Sequence, residues 1–184
     1  MIRELEINEL NKLYKEHIKN DFPAVERFPC FIIKSNMKNN LQEGFIYVDE
    51  NKEQGYAINS ISKEAINISY FVIFKENRGR GLGTNFLKEI INHYNNKKVI
   101  TVEVEKPENA KTEEEKIICE KRISFYEKLG FTIRKDINYS IFKLPMYLMV
   151  YSNGNLSKEE IIKYVKTIWD SILKIGFKHM LKID

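Results

Sequence analysis

The chain has 184 residues, 43% of them hydrophobic and 30% charged, with 30 basic side chains against 26 acidic ones and a net charge of +4. That balance excludes a disordered chain, and the length suits one well-buried core rather than two. Lysine is interleaved with glutamate throughout, so no polyanion-binding face is marked out, and no apolar run approaches the roughly 18 residues of a membrane helix. A single cytoplasmic domain over residues 1–184 is expected, with no nucleic-acid or membrane partner. Cys30 and Cys119 belong to no CxxC pair, so they read as reduced thiols and no metal site is predicted.

Taken in chain order, "ELEINELNKLYKEHIK" (4–19) sets Leu10, Leu13, Tyr14 and Ile18 at helical spacing. Two Phe-Pro steps in "NDFPAVERFPC" then stop the helix, and a loop or short second helix follows. "GFIYV", "QGYAINSI" and "AINISYFVIF" are apolar or alternating runs separated by "DENKE" and "SKE", which predicts a three-stranded antiparallel meander. After "RGRGLG", Leu82, Phe86, Leu87, Ile90, Ile91 and Tyr94 mark one face of a helix that ends at "NNKK". "VITVEVE" is the next strand, with Thr101, Glu103 and Glu105 on one side and Ile100, Val102 and Val104 on the other. Strand, glycine loop, helix and strand make a βαβ unit, so its two strands should be parallel.

A second helix from Thr112 to Leu129 is expected to carry Ile118, Phe125 and Leu129 on one stripe, with Cys119, Ile123 and Tyr126 beside them, and Gly130 ends it in the left-handed conformation. "FTIRKD" and "PMYLMVYS" read as strands. Ser157 and Glu160 form a capping box ahead of Ile161, Ile162, Val165, Ile168, Trp169 and Ile172, which predicts an amphipathic C-terminal helix over about 157–174. The fold class is therefore α/β with a mixed sheet: a meander, a βαβ unit with one parallel pair, and a C-terminal helix. The nearly continuous apolar face of that last helix must be buried on the domain or on a second copy, which leaves a homodimer open.

The glycines in "RGRGLG" call for a ligand. Consecutive amides at a helix N-terminus, freed by glycine to adopt positive φ, form a concave anion site that also feels the helix dipole. Arg78 and Arg80 add charge, so a phosphate or diphosphate is the expected occupant. The P-loop pattern is excluded because Gly83 is followed by Thr84 and Asn85. A dinucleotide GxGxxG fits Gly79 and Gly81 but has Thr84 at its third position, with Glu103 where that fingerprint wants an acid. R-x-x-G-x-G is satisfied by Arg78, Gly81 and Gly83. A glycine turn that merely caps a helix is the bland alternative.

Two motifs together resemble the GNAT N-acetyltransferase superfamily. "YFVIFKENRGRGLGTNFL" is similar to the family's pantetheine-binding strand and pyrophosphate loop, and "RISFYEKLGF" to the helix and strand on the other side of the coenzyme. The resemblance covers about residues 41–151 and implies acetyl-CoA as co-substrate. It implies main-chain contacts to pantetheine from Phe71 and Ile73, a pyrophosphate held by Arg78, Gly79 and the amides of Arg80, Gly81, Gly83 and Thr84, and an oxyanion contact from the Ile73 amide.

An alkylamine with pKa near 10.4 is only about one part in a thousand neutral at pH 7, so a base must take its proton before attack. Within the resemblance Glu103 is the first candidate, directly or through water, with Glu105 the alternate on the same face; either is otherwise a solvated strand-end carboxylate. Tyr126 matches the tyrosine that protonates the departing thiolate in many members, its alternative being a core tyrosine. The chain departs from the family at Cys119, where many members have asparagine, and at Arg122, where they have alanine. The asparagine's coenzyme contact therefore has no counterpart, and Arg122 is free to meet a phosphate or pair with Glu103. His17, His93 and His179 bear no recognisable relation to Cys119, so direct transfer in a ternary complex is expected rather than an acyl-cysteine.

The acceptor is expected to be a small-molecule or peptide amine entering over the early helices and the hairpin around 49–53. Asp21, Glu26 and Glu43 either give that region a negative character suited to a cationic amine or form an ordinary solvated acidic face, and Tyr47 and Tyr56 either line it or pack within it. Two other readings compete: a non-catalytic CoA-binding sensor or partner-binding module, and an NAD(P)-dependent oxidoreductase.

Overall fold

The computed structural model describes residues 1–173 and 181–184. They fall into two compact units, the first of Met1–Ile61 and Ile68–His93, the second of Ser62–Asn67 and Tyr94–Asp184. The fold is mixed α/β, mostly antiparallel with one parallel strand pair, as the sequence predicts.

In the first unit the strands run in the order β1 (Ile2–Glu4), β2 (Gln42–Asp49), β3 (Lys52–Ile61) and β4 (Ala65–Ile73), the last shared with the second unit. β1 and β3 both pair antiparallel with β2. Glu50 and Asn51 close the β2–β3 hairpin, both at positive φ (49° and 59°). The expected helix over 4–19 starts later. Residues 2–4 go to β1, and the helix comprises α1 (Leu10–Leu13), a π-helical turn (Tyr14–Ile18) and α2 (Lys19–Asp21). The apolar spacing that predicted a helix holds only from Leu10 onward, where Leu10, Leu13 and Ile18 are buried. After the Phe-Pro steps comes α3 (Cys30–Lys38).

α4 (Leu82–His93) buries Leu82, Phe86, Leu87 and Ile90. Phe86 is the centre of its packing, stacked on Tyr47 of β2 at 5.0 Å and on Phe71 of β4 at 4.9 Å. His93, at the helix end, packs edge-on against Phe45 and lies 3.8 Å from the Glu43 carboxylate.

In the second unit Ala65–Asn67 of β4 run parallel to Val99–Thr101 of β5 (Val99–Glu105), the parallel pair expected of a βαβ unit. β5 then pairs antiparallel along its whole length with β8 (Leu144–Ser152), and β8 also carries β6 (Thr132–Ile133) and β7 (Tyr139–Ile141). β9 (Leu181–Ile183) pairs with β7. The strand read in "FTIRKD" thus shrinks to two residues, and β7 is an addition to the sequence reading.

α5 (Glu113–Glu127) is capped by Thr112, whose hydroxyl accepts from the Glu115 amide, and Gly130 follows at φ +91° as expected. Its buried face is not the predicted one. Cys119 and Tyr126 are buried, whereas Ile118 is 55% exposed and Phe125 and Leu129 are half-buried. α6 (Lys158–Ile172) has the full capping box between Ser157 and Glu160 and buries Ile161, Val165, Ile168, Trp169 and Ile172, together with Tyr164. Lys174, the predicted last residue of that helix, and His179 lie outside the described residues. No helix among the described residues is long and apolar enough to cross a membrane.

Candidate active site

The glycine loop joins β4 to α4 in the first unit. Gly79 and Gly81 take φ of +80° and +78°, and a Cβ built on either meets nothing within 4 Å. Positive φ here is what demands glycine, because an L side chain is strained in that region even where space is free. The Gly81 carbonyl starts α4, accepting from the amides of Thr84 at 3.1 Å and Asn85 at 3.3 Å. Among the described residues the five successive amides from Gly79 to Gly83 have no acceptor. Unengaged donors in this number, at the positive end of a twelve-residue helix, form an anion nest. Leu82 joins the sequence-predicted set, while the Thr84 amide is engaged within the helix turn.

Arg78 and Arg80 are exposed, and the Arg78 Nε donates to the Ile73 carbonyl at 2.8 Å, tying the loop to the end of β4. Phe71 stacks on Phe86, and Ile73 is the last residue of β4.

The second unit gathers the titratable groups. Glu103, pointing from β5, accepts from the Asn67 side-chain amide at 2.8 and 3.0 Å and from the Tyr139 hydroxyl at 2.6 Å. Asn67, at the end of the β4 segment that pairs with β5, also donates to the Thr101 hydroxyl at 3.2 Å. Burial pushes the Glu103 carboxyl above its ordinary range, while Tyr139, Asn67 and the Trp169 indole pull it back toward the ionised form. The Tyr139 phenol is held well above its ordinary value by burial and by the neighbouring Glu103, so it serves as a hydrogen-bond donor throughout the physiological range. Asn67, Tyr139 and Trp169 belong to three elements widely separated in sequence, and no spacing pattern announces them.

Tyr126 of α5 is buried, edge-on to Phe125 at 5.1 Å and to Phe131 at 5.4 Å. Its hydroxyl has no hydrogen-bond partner among the described residues. Burial raises its pKa, so it too remains a donor. Arg122 does not pair with Glu103, as the sequence left open; its guanidinium binds the Glu105 carboxylate. That ion pair engages the carboxylate expected from the sequence as the alternate candidate. Cys119 is buried and its thiol is raised by burial and then by Glu115, the opposite of an activated thiolate.

The model of the acetyltransferase (GNAT) domain matches residues 40–133, just over half of the chain. The chain belongs to the GNAT acetyltransferase family. The solved structures that resemble this GNAT protein include a provisionally assigned GNAT acetyltransferase from Bacteroides thetaiotaomicron, at 22% identity and a TM-score of 0.75, covering 97% of this chain and 98% of that one. A GNAT acetyltransferase from Elizabethkingia anophelis with acetyl-CoA bound matches at 16% identity and a TM-score of 0.57, covering 83% and 97%. A spermidine N-acetyltransferase variant from Vibrio cholerae matches at 13% and 0.60, covering 83% and 92%. At these identities the likeness shows the fold. No curated protein matches the chain significantly.

Proposed function

We propose that this GNAT protein is an acetyl-CoA-dependent N-acetyltransferase that moves the acetyl group to a primary amine by direct attack in a ternary complex, as a single cytoplasmic domain. The observation that carries the reading is the run of unengaged amides from Gly79 to Gly83 at the start of α4, flanked by Arg78 and Arg80, which suits the diphosphate of coenzyme A. The acetyl-CoA bound to one relative in fold agrees with it.

In this reading Arg78, Gly79, Arg80, Gly81 and Gly83 hold the pyrophosphate, and Thr84 contributes through the helix turn. The main chain of Phe71 and Ile73 pairs with the pantetheine arm. Glu103 takes the proton of the acceptor ammonium, directly or through a water, and the freed nitrogen lone pair attacks the thioester carbonyl. The Ile73 amide donates to the oxyanion that forms, a contact typically worth a factor of about 100 or more. The intermediate collapses with cleavage of the carbon–sulfur bond; Tyr126 donates its proton to the departing sulfur, and the second proton shed by the new amide nitrogen returns to the tyrosine through water. Glu105, engaged by Arg122, is the less suited base. The raised Cys119 thiol favours direct attack over an acyl-cysteine.

The test is titration with acetyl-CoA followed by thiol release with a panel of amines. Gly81→Trp is expected to abolish coenzyme binding, because the indole fills the nest and the backbone there needs positive φ. Full activity and unchanged coenzyme affinity in that variant sink the reading. Coenzyme binding with no turnover on any amine points instead to a CoA sensor.

A further inference from the structure

The first unit holds a second group of polar side chains that the transfer chemistry above leaves idle. His17 lies in the π-helical turn Tyr14–Ile18, a local geometry that recurs at functional sites. Its ring is half-buried and stacked on Phe74, with centroids 4.3 Å apart and planes at 22°, and the Tyr56 ring stands 6.2 Å away. Among the described residues neither imidazole nitrogen has a hydrogen-bond partner. Four residues further on, Asp21 is exposed and accepts from the Tyr56 hydroxyl at 2.9 Å. No cation pairs with Asp21 among the described residues. Tyr56 is fully buried, so its hydroxyl fixes the carboxylate from below and leaves the second oxygen to solvent.

This group stands beside the end of β4. Phe74, under His17, directly follows Ile73. Gly55, directly before Tyr56, lets β3 press against the same place: a Cβ there would lie 2.2 Å from the Val72 carbonyl oxygen and 3.0 Å from the Ile73 Cα. An unbonded histidine is therefore stacked on the residue after Ile73, and an oriented carboxylate with no paired cation is held by Tyr56, the neighbour of the glycine that packs on Ile73.

We propose that His17, Asp21 and Tyr56, with Phe74 as floor, form the acceptor subsite, and that its occupant is an alkyl diamine. The inference rests on the acetyltransferase reading for its link to Ile73. Asp21 takes the distal ammonium, the methylene chain lies on the His17–Phe74 stack, and the His17 nitrogen accepts an N–H from the reacting amine. His17 and Asp21 are four residues apart on one helical segment, a spacing that makes their side chains neighbours roughly 5–6 Å apart at Cβ, close to the span of a four-carbon diamine.

The experiment is calorimetric titration of the full chain with 1,4-diaminobutane, n-butylamine and aniline, with acetyl-CoA titrated separately. The diamine is expected to bind at least about tenfold tighter than butylamine, the scale of one charge-assisted contact. Asp21→Asn should erase that preference, and His17→Gln should weaken both alkylamines. Equal affinity for diamine and monoamine, an unchanged ratio in Asp21→Asn, or no amine binding at all overturns the proposal. Acetyl-CoA binding without diamine preference sinks the subsite and spares the transferase reading. Diamine preference lost in Asp21→Asn, without acetyl-CoA binding, supports the subsite and sinks the transferase reading.

Discussion

Glu103 stands between opposing influences. Burial favours its protonated form, and the hydroxyl of Tyr139 and the amide of Asn67 favour the carboxylate. Removing a donor to the charged form raises the pKa further, so Tyr139→Phe is expected to move the acid limb of the kcat/KM profile to higher pH. A limb that stays in place excludes Glu103 as the titrating base. The same residue sets a stability trend. Because its folded pKa is raised, the stabilisation it contributes is fully present below the ordinary carboxylate value and is lost as pH rises through the raised one. Glu103→Gln, which cannot ionise, should therefore gain melting temperature relative to the native protein at pH 8 more than at pH 4, while kcat falls by about 100-fold or more. Tyr126→Phe should lower kcat on a similar scale with little change in melting temperature, since the hydroxyl it loses has no partner among the described residues. Of these groups only Glu103 and Tyr126 were legible in the sequence, one by its strand position and the other by a motif. Asn67, Tyr139 and Trp169 carry no local signal, because each is brought to Glu103 by strand order and helix packing.

At the scale of elements, legibility followed local chemistry. α4 and α6 were readable because glycine or a capping box starts each and a broad apolar stripe follows. β7 was not, because its turn into β8 is made by Phe142 and Lys143, both at positive φ (52° and 66°) with no glycine or asparagine to announce it. Left-handed backbone at such residues costs roughly 1 kcal/mol each, so Lys143→Gly is expected to stabilise the protein by up to about that amount, read as a rise in the denaturation midpoint. α5 is legible as a helix, but its buried face is not. Its buried pair, Cys119 and Tyr126, is spaced at seven, and a stripe so narrow is easily outvoted by exposed isoleucines. Ser157→Ala, which removes half of the α6 capping box, should cost about 1 kcal/mol by the same measurement.

For the molecule as a whole, the sequence could declare the loop proposed for the coenzyme because an amide nest needs glycine at fixed positions, whereas an acceptor surface needs no particular spacing. Saturating acetyl-CoA at about 100 times its dissociation constant is expected to add on the order of 2.7 kcal/mol, several degrees in melting temperature, with no such gain from NADH. The fold divides into units that are not continuous in sequence. Ser62–Asn67, a segment flanked on both sides by the first unit, belongs to the second, where it gives β5 its parallel partner and Glu103 its Asn67 ligand. For inheritance, this means that one recombination event at residues 93 and 94 cannot transplant the half of the protein that holds Glu103 into a relative. The transferred piece would arrive without its own Asn67, and only a double exchange that carries the six-residue insert along would move the Glu103 cluster whole.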